Sequence, residues 1–307
     1  KTNEMEDEKI RSIRWERFKQ TTGGLILTAI LIMGLVYPIG SLVVGGVMMK
    51  NNVANTQKAL AEGDFEKAKS EVGQVKTTIG NMSEMLKSVT ILRRIGFLNQ
   101  PLSIADEAVS VIGEGVDGID HAIVGSEALF QTTKIVSGED RSDPKPLYEK
   151  AQIELVSASE KISKVNAKLK DESFLDNFPL VVRERLVDLQ GRIGLYQKLV
   201  DQARVAAILL PEITAIEGKK SYLVLLQNNL ELRPAGGFIG SYGKFDFENG
   251  RLAGIKVDDI YALDGQLKDV IEPPVEIKTH LNVDRWYLRD SNYDPDFPTS
   301  AKQASFF

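Results

Sequence analysis

The chain has 307 residues, of which 43% are hydrophobic and 26% charged, with a net charge of −5 and no cysteine. This length accommodates more than one domain, and the negative balance argues against nucleic acid as a broad partner. The absence of cysteine excludes disulfides, thiolate nucleophiles and cysteine-ligated zinc.

The first predicted element is a membrane span. From Gly23 to Met49, GGLILTAILIMGLVYPIGSLVVGGVMM runs for 27 residues without a charge, about the length that crosses a bilayer with some tilt. The alternatives are a buried core helix or a cleaved signal peptide, but the stretch is long for a signal segment and no A-x-A-like site closes it. Lys9, Arg11, Arg14, Arg17 and Lys19 precede it against Glu16, whereas Lys50 and Lys58 are the only cations in the fifteen residues after it. The positive-inside rule then predicts a cytoplasmic tail over 1–22, a transmembrane helix over 23–49, and an extracytoplasmic bulk. The expected setting is a single-pass protein of the cell membrane, with the lipid bilayer as a partner, Trp15 and Phe18 at the interface, and a kink at Pro38.

Aromatic content divides the remainder: residues 51–210 hold seven aromatics, and the shorter stretch 211–307 holds twelve. That contrast predicts a helical region over 50–210 and a sheet-containing module over 211–307, with the boundary near Pro211. After a short helix around 55–62, Gly63 and the candidate N-cap Asp64 precede Phe65, Ala68, Val72, Val75, Ile79, Met82, Leu86 and Val89, spaced alternately by three and four. Ala151, Leu155, Ala158, Ile162, Val165 and Leu169 repeat the spacing, as does the run from Leu186 to Leu210. Narrow seams of this kind belong to coiled coils, so homo-oligomerisation through them is an expectation. A further helix is predicted from Pro101 to about Val136; its glycines 113, 115, 118 and 125 imply close packing on a neighbour. Loops are expected at 139–146 and 171–179, giving four long antiparallel helices. AEGDFEKAKS has the flavour of a tetratricopeptide turn, without a repeat at the required period.

In the last part, SYLVLLQ (221–227) is apolar enough for an inner strand. GFIGSYGKFDF (237–247) and RLAGIKVDDIYAL (251–263) form a hairpin around Glu248-Asn249-Gly250. PPVEIKTHL predicts a short helix, and FPTSAKQASFF a helix capped at Thr299 or Ser300. Since the chain starts without methionine and stops within that helix, it is expected to be an excerpt, and the fold class is α+β: a membrane helix, an antiparallel helical bundle, then an incomplete α/β module.

Two stretches carry candidate chemistry. Arg233 lies beside Gly236, Gly237, Gly240 and Gly243; glycine lets backbone N–H groups approach an anion, and arginine grips phosphate bidentately. The spacing is neither a Rossmann nor a P-loop fingerprint, and the competing reading is glycine used for strand packing or bulges. Asp290, Asn292, Asp294 and Asp296 alternate as in a calcium loop, but Pro295 replaces the turn glycine and Ala301 the closing glutamate; a solvated turn with helix capping competes with a metal site built on Asp290, Asn292 and Asp294. Asp258 and Asp259 could supply a carboxylate for a cation or a base. His121 and His280 are solitary and receive no role.

YLVLLQNNLELRPAGGFIGSYGKFDFENGRLAGIKVDDIYALDGQL, with the later EPP and WYLRDSNYDPDFPTSAKQA, resembles the bacterial family called domain of unknown function 4012. That resemblance implies a single-span envelope protein with a helical region ahead of this module, and no mechanism. A more distant similarity is to the start of the LytR-CpsA-Psr phosphotransferases, which move polyprenyl-pyrophosphate-linked glycopolymers onto cell wall. It would place Asn228 or Asn229 near an aspartate position, Arg233 near a phosphate-binding arginine, and Asp258 or Asp259 near an acidic element. The candidate ligand set for an anion or pyrophosphate joins Arg233, Gly236, Gly237 and Gly240 of the glycine run to Asn229, Asp258 and Asp259 from this similarity, with magnesium implied by the similarity, or calcium at the aspartate-rich turn, as the cofactor. Departures are plain: GGFIG stands where that family has an aspartate-bearing strand motif, and Val257 precedes Asp258 where it has an arginine. Such losses weaken the clamp on which phosphoryl transfer depends. The leading expectation is a non-enzymatic envelope scaffold or binding module, the alternative a transferase or binder acting on lipid-pyrophosphate-linked glycans, with a cell-wall or envelope glycan as partner.

Overall fold

The computed structural model describes residues 51–307. It is an α+β chain whose described residues divide into two compact units, one made of 51–129 with Glu149–Ala207, the other of Phe130–Tyr148 with Ile208–Phe307.

The first unit is helical. A helical segment, 51–61, is followed by α1 (Phe65–Ser88), whose N-terminus is capped by Asp64, the carboxylate accepting the Lys67 N–H at 2.9 Å. Gly63, at φ 73°, makes the turn between them. The three-and-four spacing is realised in α1: Ala68, Val72, Val75, Ile79, Met82 and Leu86 are all buried. A 3-10 turn, Thr90–Arg94, leads into α2 (Gly96–Val136), which is 41 residues long. It starts five residues before the predicted Pro101, because Leu98 and Leu102 are needed in the core that Val75, Ile79, Met82 and Leu86 form with Ala105 and Val109.

Helix α3 (Lys145–Lys170) packs antiparallel on α2. Gly115, Gly118 and Gly125 face Val165, Ile162 and Leu155 in turn; a methyl group on Gly118 or Gly125 would come within 2.8 or 2.7 Å of those side chains. The glycines that weaken α2 as an isolated helix therefore serve its contact with α3. The predicted loop 171–179 contains a helical turn, α4 (Glu172–Leu175), capped by Asp171. It brings Phe174 and Phe178 edge to face at 5.0 Å. Helix α5 (Leu180–Ile213) runs through Pro211. It too is antiparallel to α3: Asn166 donates to Gln197 at 2.5 Å, Ser159 to Asp201 at 2.6 Å, and Gln152 to the Ala207 carbonyl at 2.9 Å. The seam of α3 is spent on these contacts, with Ala151, Leu155, Ala158, Ile162, Val165 and Leu169 at 4% exposure or less.

One part of the expected fold class is corrected. Among the described residues no helix is long and apolar enough to cross a membrane. The physical reason is charge: α2, the longest described helix, carries Asp106, Glu107, Glu114, Asp117, Asp120 and Glu127. Lysines answer them from both sides, Lys76 reaching Asp117 and Asp120 at 2.9 and 2.8 Å and Lys168 reaching Glu107 at 2.7 Å. The predicted span, 23–49, lies outside the described residues, and the single-pass localisation with a cytoplasmic N-terminus is corrected along with the membrane class.

The second unit holds a three-stranded antiparallel sheet in the order β1 (Lys219–Arg233), β2 (Gly236–Glu248), β3 (Arg251–Asp259). The β2–β3 turn is the predicted one, with Asn249 and Gly250 at φ 50° and 76°. Strand β1 is longer than SYLVLLQ and lies at a sheet edge among the described residues, with Leu223, Val224 and Leu226 exposed. Apolar character alone did not fix its place in the order. Strand β3 ends at Asp259, whose carboxylate accepts the Tyr261 N–H at 2.7 Å and starts α6 (Ile260–Asp264), so IYAL is helical instead of extended. The short predicted helix is α7 (Val275–Leu281), closed by Asn282 at φ 52°. After a 3-10 turn at Leu288–Asp290, α8 (Phe297–Phe306) is capped by Asp296, not by Thr299 or Ser300; Pro298 in the first turn leaves the Thr299 N–H for the Asp296 carboxylate at 3.0 Å. The core of this unit joins Ile239 and Tyr242 of β2 to Ile260, Leu288 and Ala304.

Candidate functional site

The glycine run folds as strand. Arg233 pairs with Gly236 and Leu232 with Gly237 across the β1–β2 ladder, and a register shift between Asn228 and Leu232 leaves Asn229 in a bulge. Gly237 is fully engaged: its N–H donates to Gln227 Oε1 at 3.0 Å and its carbonyl accepts from Asn292 Nδ2 at 2.7 Å. A methyl group there would collide with the Asn228 carbonyl. At Gly243 a methyl group would meet the Phe245 ring at 2.8 Å. Gly236 takes φ 133°, open to glycine, while Gly240 has nothing nearer than 3.9 Å.

Arginine, aspartate and aromatic rings converge beside this run. Arg233 Nη2 lies 3.5 Å from Asp290 Oδ1, and the guanidinium sits 5.4 Å from the centre of the Phe238 ring. The other oxygen of Asp290 is 3.6 Å from Arg289 Nε, and Arg289 Nη1 is 3.2 Å from Asp264 Oδ2. Arg289 also lies over Tyr287 at 4.2 Å and Tyr261 at 5.1 Å. Arg285 stands 5.5 Å from the Tyr287 ring and donates to the Asp269 carbonyl at 3.0 Å. Both carboxylates are buried, Asp264 at 5% exposure and Asp290 at 6%. Burial pushes the Asp264 carboxyl above its ordinary value, against the lowering pull of the Arg289 guanidinium and of the Leu288 and Arg289 N–H groups. The Nε atoms of Arg233 and Arg285 are buried with no hydrogen-bond partner among the described residues.

The other sequence-predicted residues are placed as follows. Asp259 caps α6; Asp258 accepts the Asp259 N–H at 2.9 Å and lies 3.6 Å from Lys256. Asp290 is held by arginines, Asn292 by the Gly237 carbonyl, and Asp294 accepts the Asp296 N–H at 2.8 Å, so these three carry separate duties. Among the described residues no group of three histidine, aspartate or glutamate side chains is arranged to hold a metal ion. In the helical unit, His121 Nδ1 is 2.6 Å from Glu154. Sequence reasoning missed Asp264, Arg285 and Arg289. The available signal was the run Asp284-Arg-Trp-Tyr-Leu-Arg-Asp290, in which two arginines flank a pair of aromatics.

No curated protein and no solved structure matches the chain. Residues 217–306, which contain the sheet and the arginine cluster, match the family described as protein of unknown function (DUF4012).

Proposed function

We propose that the C-terminal domain is a binding module for an anionic group of the phosphate or pyrophosphate kind, and that the chain acts as a binder or scaffold without transferring a group. The observation that carries this reading is the state of Arg233. Its guanidinium is positioned by the Phe238 ring at 5.4 Å, its contact with Asp290 is 3.5 Å, and its buried Nε has no partner among the described residues. Arg233 Nη1 already donates to the Leu232 carbonyl at 3.1 Å, but a charge-assisted hydrogen bond is normally about 2.7–2.9 Å, so Nη2, at 3.5 Å from Asp290, retains donor capacity that an incoming oxyanion can use, with Asp290 as the internal counterion. Against transfer stand the duties of the carboxylates: Asp259 caps a helix, and Asp264 and Asp290 are paired with arginines. Isothermal titration of the full chain with inorganic pyrophosphate tests the reading. Saturable binding that Arg233→Ala abolishes supports it, and equal affinity of the variant and native chains overturns it.

A second reading, a transferase or binder of polyprenyl-pyrophosphate-linked glycans, is favoured by one observation. Asp264 is a buried carboxyl with a raised pKa beside Arg289, a combination found where protons are moved. Release of polyprenyl phosphate from a polyprenyl-pyrophosphate-linked glycan, with the glycosyl phosphate passed to an acceptor hydroxyl and the activity lost in Asp264→Asn, separates it from simple binding.

A further inference from the structure

The helical unit contains a half-open cavity of about 180 Å³, lined by α1, α2, α3, α5 and the segment 51–61. Its wall is almost wholly apolar, formed by residues such as Val75, Val116, Ile119 and Ile162, and among the described residues no carboxylate, lysine or arginine lines it. An apolar cavity of about 150 Å³ stays dry and takes apolar guests. This one also has an approach: Val53, Leu60 and Leu199, all part of its lining, are 46%, 38% and 52% exposed. Those residues belong to the segment 51–61 and to α5, and the same two elements are tied by Gln57 Nε2 donating to Tyr196 Oη at 2.5 Å. The opening therefore has apolar walls with one neutral polar bridge across it.

We propose that this cavity is a binding site for a single hydrocarbon chain of an alcohol- or lipid-like molecule. The chain lies along the valine and isoleucine wall, and a small polar head stays at the Gln57–Tyr196 bridge, where a hydroxyl can join the existing hydrogen bond. The uncharged lining excludes an ionised group from the interior, since none of its residues offers a counterion. This site is independent of the anion reading of the C-terminal domain.

The test is titration of the full chain with 1-decanol and, separately, with the methyl-branched alcohol farnesol, followed by thermal unfolding and calorimetry. Ala122→Phe fills the cavity from α2, and Leu199→Glu, at an exposed position, places a charge at its opening without relying on the core. At least one alcohol raises the unfolding temperature of the native chain in a saturable way, and both variants weaken its binding about tenfold or more, the ratio produced by about two fewer buried methylenes. Response to decanol alone identifies a straight chain, and response to farnesol a branched one. If neither alcohol binds, or if both variants bind as the native chain does, the proposal is overturned.

Discussion

Gly237 of β2 lies so close to Asn228 of β1 that a Cβ at position 237 would overlap the Asn228 carbonyl, while its own N–H and C=O are taken by Gln227 and Asn292. The glycine is thus accounted for by backbone packing, and the anion-binding capacity of this corner rests with Arg233. Gly237→Ala should destabilise the C-terminal unit by about 1–3 kcal/mol, the usual cost of overpacking. Gly240→Ala, with nothing nearer than 3.9 Å, should fall well below that. Urea unfolding followed by tryptophan fluorescence of Trp286 reads the difference; equal effects at the two positions would contradict the account.

The α2–α3 contact makes a parallel prediction. Gly118→Ala puts a methyl group 2.8 Å from Ile162 and should cost about 1–3 kcal/mol. Gly115→Ala, at 3.7 Å from Val165, meets ordinary contact and should be neutral or stabilise by up to about 1 kcal/mol through helix propensity. Circular dichroism melts should show a lowered midpoint for Gly118→Ala and an unchanged or raised one for Gly115→Ala; equal losses would contradict the packing described.

Arg289 is the only described side chain paired with both Asp264 and Asp290. Arg289→Met leaves the buried Asp264 without its cation and Asp290 with Arg233 alone, and should cost about 3–5 kcal/mol. A cost below about 1 kcal/mol, the scale of an exposed pair, would show that these carboxylates are hydrated.

Asp264 provides a pH test with a defined sign. Its folded pKa is raised above 3.8, chiefly by burial, so the folded chain holds that proton more tightly than the unfolded chain does. Its contribution therefore favours folding below the unfolded pKa and is lost as pH rises through the folded value. Asp264→Asn cannot titrate and still offers an acceptor to the Leu288 N–H, which the native carboxylate meets at 3.0 Å. The stability of Asp264→Asn relative to the native chain should rise as pH climbs above the ordinary carboxylate value of about 3.9. A relative stability that falls over the same range would contradict the assignment.

The sequence carried the helices well where one face repeats. The seam from Ala68 to Leu86 is buried residue for residue, and Asp64 caps α1 as its position predicts. It carried the β2–β3 hairpin because Asn249 and Gly250 accept positive φ. What it could not show was convergence. Arg233 and Asp290 are 57 residues apart, and only the fold reveals that the aspartate-rich turn supplies a counterion to the arginine. Asp290 looked like one of a set of metal ligands because spacing along a chain does not report which way each side chain is drawn. Nor did apolar character reveal the start of α2, which is set by Leu98 and Leu102 reaching the α1 core.

The most direct measurement is the nitrogen-15 resonance of Arg233 Nε, followed in the full chain as inorganic pyrophosphate is added. The account predicts a saturable shift of that resonance, weakening as ionic strength rises. An Arg233 resonance that stays in place while pyrophosphate reaches excess would contradict the central claim.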